Sequence, residues 1–417
     1  MTGQPDLVFD TADPEFVADP YPAYARVRET TSVWHPAGDH LWYLTRYADV
    51  HAAFRDHRLG TSFLHRYTPE ELNLAPDIPV WRDPRWKDFA SFERWELLNL
   101  EPPAHTRLRR LVTEAFTPRA AEGMRTKIQE RARRLLQTGR EDGSIDLVGS
   151  YAQHFSLGII CELIGVPEDD HDTILKLSDA TIRMYEPAPS EELRTAANAA
   201  AKDFRQYLLK LIAQRRRLTA DDLLTTMIGA VVDGERLTDD QIVSTSMVLL
   251  MAGHEAAVNA TSNGIAALAA HPDQWQLIRS SKVSPRVALE EILRYDPPLQ
   301  WFERWVLDED FEINGVAIPL GARVALVLGA ANRDPRKYVE PDRFNILRAD
   351  ANHLTFGGGI HFCLGAPLAR LELETTIAEL AQSEKELVII APTVRRSTFQ
   401  FRGYERLVIA LSETTNN

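Results

Sequence analysis

The chain has 417 residues, 44% hydrophobic and 26% charged, with a net charge of −13. That length supports a large core, and the acidic balance disfavours general binding to nucleic acid or to an anionic membrane surface. Two cysteines, with no Cys-x-x-Cys, exclude a disulfide scaffold and a zinc or iron–sulfur cage. Met1 to Asp6 has neither the basic start nor the apolar core of a signal peptide. With no linker, repeat or low-complexity tract, residues 1–417 read as a single domain.

In chain order, Leu41 to Thr45 reads as a first strand. Trp86, Phe89, Phe92 and Trp95 crowd the segment that also carries Glu93 and Arg94. In the following Glu101 to Arg110, His105 and Arg109 lie four apart and face the same way on a helix. Arg107 and Arg110 read as surface. Thr238-Asp239-Asp240-Gln241 is a capping box, with Leu237 and Ile242 placed for a hydrophobic staple. The helix it opens continues to about Ala270, before His271-Pro272. Some thirty residues at about 1.5 Å each span roughly 45 Å, enough to cross a domain. Ser244, Thr245, Ser246, His254, Glu255 and Asn259 interrupt it too often for lipid, so it is expected as a central buried helix. Arg323 to Leu328 and Leu407 to Leu411 read as further strands, which makes the fold helix-rich with a minor sheet component.

The most informative stretch is Phe356-Gly357-Gly358-Gly359-Ile360-His361-Phe362-Cys363-Leu364-Gly365, a glycine-rich turn running into a helix with Pro367 in its first turn. Cys363 is therefore expected under free backbone N–H groups, where the helix dipole favours the thiolate that a metal ligand or nucleophile requires. The glycines are expected to let a bulky flat group lie against the backbone. Other readings of the motifs fail. The turn lacks the third glycine of a dinucleotide fingerprint, and His254-Glu255 lacks the second imidazole of a zinc protease because Val258 stands four residues on. A cysteine hydrolase needs a histidine base, and His361, two residues away around a tight turn, need not touch Cys363.

The pattern Phe-Gly-x-Gly-x-His-x-Cys-x-Gly over Phe356 to Gly365 resembles the haem-ligand loop of the cytochrome P450 superfamily, soluble bacterial type. Glu291-Ile292-Leu293-Arg294 looks like the family's Glu-x-x-Arg helix, and Pro341-Asp342-Arg343-Phe344 resembles the segment whose arginine joins that pair. The resemblance implies a mainly α fold with small β-sheets and a long central helix above a haem b. It implies Cys363 as iron ligand, with Phe356, Gly357 and Gly365 shaping its loop. His105, Arg109, Arg304 and His361 would hold the propionates, which need cationic partners when buried. Glu291, Arg294 and Arg343 would form a structural triad.

Ala252-Gly253-His254-Glu255-Ala256-Ala257 resembles the oxygen-activating segment but carries Ala256 where the family has threonine. Ala257 has no hydroxyl, and Thr261 lies about 140° round the helix. Asn259 is the nearest polar group on roughly the same face. Ala252 and Gly253 are expected to leave room for dioxygen, and Glu255 is retained. A substrate hydroxyl or carboxyl, ordered water held by Glu255 or Asn259, or peroxide chemistry would each answer the missing group, and the first two together are preferred.

The implied activity is insertion of one oxygen atom from O2 into a small molecule, with electrons from a separate ferredoxin and reductase, in the cytoplasm. Arg107, Arg110 and Arg119 are candidates for the ferredoxin's docking face. The alternatives are a peroxide-driven peroxygenase and a non-catalytic haem-thiolate sensor. The pocket positions carry Phe92, Trp95, Met247, Leu250, Leu299, Trp301, Phe302 and Phe399, with Phe401 in the same late turn. These favour an apolar substrate, ring systems included. Glu93, Arg94, Gln300, Glu303 and Arg402 are candidate polar anchors.

Overall fold

A computed structural model describes residues 9–74, 83–186, 189–232 and 234–412; Met1 to Asp6, read above for a targeting signal, lies outside them. The chain's contacts gather into two compact units. One is drawn from Met1–Thr68, Arg125–Gln153 and Ala256–Asn417, the other from Pro69–Met124 and His154–Glu255. Both are assembled from separated segments, so no single cut in the sequence divides them.

The first unit holds a five-stranded sheet. Leu41–Leu44 runs parallel to Arg323–Val327 with Leu41 opposite Arg323, and antiparallel to Val33–Trp34. Trp301–Val306 lies antiparallel on the other side of Arg323–Val327, and Leu59–Gly60 forms the far edge. Alternation along Arg323–Val327 divides the core. Ala325 and Val327 face an aromatic cluster of Phe9, Phe16, Tyr24, Trp34, Tyr43 and Trp301. Val324 and Leu326 face Leu44, Val50, Phe54 and Val306. Two expected strands thus lie side by side. The third, Val408–Ala410, pairs instead with Ser144–Asp146 in a small separate sheet.

Helices dominate the rest. In the first unit Tyr47–Ala53 (α1) follows the second strand. In the second, Lys87–Glu93 (α2) is fixed at its start by Asn198, whose Oδ1 accepts the N–H groups of Asp88 and Phe89 at 3.1 and 3.0 Å. Ala104–Thr113 (α3), Gln153–Ile164 (α4) and His171–Ile182 (α5) follow. The long Asp239–Ala270 helix (α6) opens on the expected capping box: Gln241 N–H donates to Thr238 Oγ1 at 3.2 Å, and Thr238 N–H to Gln241 Oε1 at 3.0 Å. Pro285–Tyr295 (α7) packs in the first unit against Ala366–Ser383 (α8). Among the described residues one stretch, 147–164, is long and apolar enough to cross a membrane, and 67% of it is buried in the protein.

Candidate active site

Backbone hydrogen bonds shape the cysteine loop. Gly357 N–H donates to Leu354 O at 2.8 Å, Phe362 N–H to Gly359 O at 3.2 Å, and Cys363 N–H to Phe356 O at 2.9 Å. Gly357 and Gly359 have φ of +66° and +64°, which side chains beyond glycine resist. Their surroundings give two of the glycines a reason of their own. A Cβ on Gly359 would lie 2.0 Å from Phe54 O, and one on Gly358 3.0 Å from the Phe54 side chain, so the close neighbour is the end of α1. The start of α8 carries no side-chain cap, which leaves the positive end of its dipole beside Cys363. Cys161 is sealed in α4, whereas Cys363 is half-buried and accessible.

Two braces tie this loop to α7. Glu290 accepts from Arg370 Nε at 2.6 Å and lies 3.1 Å from His353 Nε2, while the Arg370 guanidinium stacks 4.4 Å over Phe356. Burial alone would raise the Glu290 carboxyl, but the hydrogen bonds from His353 and Arg370 and the arginine's charge outweigh it and hold it at about 2. The second brace is the buried Glu291, bonded by Arg294 Nε and Nη2 at 2.7 and 2.9 Å. Its third member is Arg348, whose Nε donates to Glu291 Oε2 at 3.0 Å. The assignment of Arg343 to that triad is therefore corrected. Its side chain is 67% exposed and pairs with Glu340, because the turn directs its carbonyl inward to accept from Arg348 Nη2 at 2.9 Å.

The proposed propionate partners are divided between the units. In the first, Arg304 is nearly buried, with its guanidinium 5.6 Å from the Phe54 ring and 6.0 Å from that of Phe302. His361 Nε2 lies 3.5 Å from Thr61 Oγ1. In the second, α3 buries His105 and half-buries Arg109, while Arg110 is exposed and Arg107 pairs with Glu235 at 3.1 Å.

The middle of α6 explains the small residues. Ala252, Gly253, Ala256 and Ala257 are accessible, whereas Met251, His254, Glu255, Val258 and Asn259 are buried. Positions i, i+1, i+4 and i+5 share one side of a helix, so the accessible strip presents nothing larger than a methyl group. Gly253 has a second reason for its size, since a Cβ there would meet Ile160 Cγ1 at 2.7 Å. Close packing on α4 requires glycine irrespective of space for dioxygen. Asn259, expected as the nearest polar group to that face, is fully buried. Its Oδ1 accepts from Arg396 Nη1 at 3.4 Å and lies against Gly403, where a Cβ would come within 2.1 Å.

Several expected pocket residues are core. Phe399 stacks on Phe16 at 5.2 Å and packs on Trp301 at 4.5 Å, both buried inside the aromatic cluster, so neither lines a pocket. Phe92 packs on Phe89 at 5.7 Å, and Met247 and Leu250 are fully buried. Trp95, Leu299, Phe302 and Phe401 are partly accessible. Gln300 and Arg402 are corrected as anchors: Gln300 bonds Tyr24 and Pro297 O, and Arg402 binds Asp296, Val17 O and Ala18 O. Glu303 pairs with Arg323, and Arg94 stacks over Trp95 at 5.8 Å.

Sequence reasoning singled out Glu93 but missed its carboxylate partner, Glu96. Glu96 is buried and accepts from Tyr185 Oη at 2.9 Å and Asn99 Nδ2 at 2.7 Å. Burial pushes Glu93 up to about 7, and burial plus the neighbouring Glu93 charge pushes Glu96 up to about 8. Two acids three apart amid Phe89, Phe92 and Trp95 were its legible signal.

The chemistry of these groups suits an iron porphyrin: within the first unit, a half-buried cysteine sulfur for the iron, and Arg304 and His361 as partners for carboxylates. The cytochrome P450 family model matches residues 77–280 and 286–383. The chain is 37% identical to the vitamin D(3) 25-hydroxylase of Pseudonocardia autotrophica, over 98% of this chain and 97% of that one. It is 36% identical to the 6-deoxyerythronolide B hydroxylase of Saccharopolyspora erythraea, over 99% and 100%. The crystal structure of CalO2 is similar with a TM-score of 0.88 at 31% identity, over 98% of this chain and 99% of that one. Matched along nearly its whole length by bacterial hydroxylases, the chain belongs to the cytochrome P450 family, whose members are haem-iron monooxygenases.

Proposed function

We propose that this monooxygenase binds haem b through Cys363 and hydroxylates an apolar, ring-bearing small molecule, with electrons from a separate ferredoxin-type protein. The observation that carries the reading is the accessible Cys363 thiol beside the uncapped start of α8. Relatives named for vitamin D3 and for 6-deoxyerythronolide B support the substrate class. When bound, the haem supplies dioxygen activation and C–H oxidation. Cys363 contributes negative charge, stabilised by the helix dipole. His105, Arg109, Arg304 and His361 would hold the group's propionates, as the family resemblance implies. The strip of Ala252, Gly253, Ala256 and Ala257 leaves space and offers no hydroxyl, so the proton route differs from one built on threonine.

Glu255, 6% exposed, is the carboxyl group adjoining that strip on α6. With Asn259 fully buried and its Oδ1 turned to Arg396, the donor that completes the route is a hydroxyl of the substrate or water held at Glu255. The test is turnover under 18O2 with ferredoxin, reductase and compounds chosen for their ability to shift the haem spin state. One labelled oxygen per product supports the proposal. Equal or faster turnover with peroxide alone, without reductant, refutes it in favour of a peroxygenase.

A further inference from the structure

His254-Glu255 begins like a zinc-binding pair on a helix, but Val258 occupies the position of the second histidine. The fold supplies a different third group. Asp179, on α5, brings its Oδ1 to 4.0 Å from His254 Nε2, and Glu255 Oε2 lies 4.0 Å from the same nitrogen. One ligand atom from each residue falls within 4.8 Å of the other two. All three residues belong to the second unit.

We propose that Asp179, His254 and Glu255 form a binding site for one divalent cation of the zinc class. The tautomer of His254 is an independent pointer. Its Nδ1 lies 2.7 Å from Leu250 O and so carries an N–H, which leaves Nε2 as the atom facing the two carboxylates. A metal-ligating imidazole is oriented in this way, by donating its other N–H to a carbonyl or carboxylate. The residue is 2% exposed, and Nε2 has no hydrogen-bond partner among the described residues.

One imidazole and two carboxylates suit zinc, and the two negative charges balance its own. Zinc bonds of about 2.0–2.2 Å place tetrahedral ligands about 3.3–3.5 Å apart, so each carboxylate closes on Nε2 by several tenths of an ångström, and the two carboxylates, within 4.8 Å of each other, close by up to about 1.5 Å. Asp179 has the freedom to make most of that movement, because its side chain is 50% exposed. The same exposure gives the ion an entry path and leaves water a fourth position.

Occupancy would tie up the Glu255 carboxylate and make turnover zinc-sensitive. That consequence rests on the proton role proposed for Glu255; binding itself does not. The experiment titrates the haem-loaded full chain with zinc against a chromophoric chelator, in wild type, Asp179→Asn and His254→Gln. One zinc per chain is expected, with each variant weakening it at least tenfold. Zinc K-edge absorption on the wild type should show a single imidazole among oxygen donors, a readout independent of how the variants fold.

Unchanged affinity in both variants, two or more imidazoles around the ion, or no binding below about 0.1 mM would each overturn the site. In parallel, zinc should lower the ratio of product to reductant consumed. Wild-type binding as expected with that ratio unchanged would support the metal site while refuting the proton role of Glu255.

Discussion

Replacing Arg348 with alanine should destabilise the protein far more than replacing Arg343. Glu291 is 1% exposed and takes hydrogen bonds from Arg294, Arg348 and the backbone N–H of Asn345. Arg348 also donates to the carbonyls of Val339, Glu340 and Arg343 at 2.6, 3.1 and 2.9 Å, so its loss unfastens the segment leading to the cysteine loop. Breaking a buried ion pair costs about 3–5 kcal/mol, and the remaining Arg294 places this loss near the lower end, about 3 kcal/mol. That is roughly a hundredfold in the ratio of folded to unfolded protein. Arg343→Ala removes only an exposed pair with Glu340 and should stay within about 0.5 kcal/mol. Arg348→Lys should fall between, because it keeps the charge but not the planar fork. Urea unfolding followed by tryptophan fluorescence at matched haem loading measures all three. Equal losses for the two alanine variants, or a greater loss for Arg343→Ala, would return Arg343 to the triad.

Cys363→His should abolish the red-shifted Soret band that thiolate-ligated haem gives when reduced under carbon monoxide; a normal band in the variant would refute the ligand assignment. Ala256→Thr should raise the ratio of product to reductant for substrates lacking a suitably placed hydroxyl more than for the natural one. Equal gains for every substrate would refute substrate or water assistance. The added methyl and hydroxyl also bring an overpacking cost of about 1–3 kcal/mol, so the ratio is the measure rather than the rate. Stability should also fall as pH rises from about 5 to 8. Glu93 and Glu96 have folded values near 7 and 8, above the ordinary carboxylate value, so the folded state binds more protons across that window and their contribution fades as pH rises through those values. Glu96→Gln should flatten this decline in unfolding midpoints measured at each pH, and an unchanged slope would remove the pair as its cause.

The contrast between α6 and the Arg348 brace shows where the sequence was legible. Thr238 and Gln241 satisfy each other's N–H groups across one helical turn, so that information is local and readable as a four-residue pattern. The identity of the arginine that reaches Glu291 depends instead on how one turn aims a carbonyl and a side chain in opposite directions. Arg343 and Arg348 differ by five positions and not at all in chemistry, so spacing alone selects neither. Asn259 fails for a related reason. Helical periodicity places it near the face of Ala256, but the residue is fully buried and its Oδ1 lies against Gly403 and Arg396, remote in sequence. Trp301 and Phe399 likewise have the composition of a pocket wall and the neighbours of a core, and only long-range contacts with Phe16 and Tyr43 separate the two. Ala256 carries its meaning in the opposite way. Its single methyl group makes no contact that replaces a hydroxyl, and the accessible strip around it contains only Ala252, Gly253 and Ala257. Under the proposed reaction, the donor completing that face arrives with the substrate or its water, which would make substrate choice and proton delivery one property of the same surface.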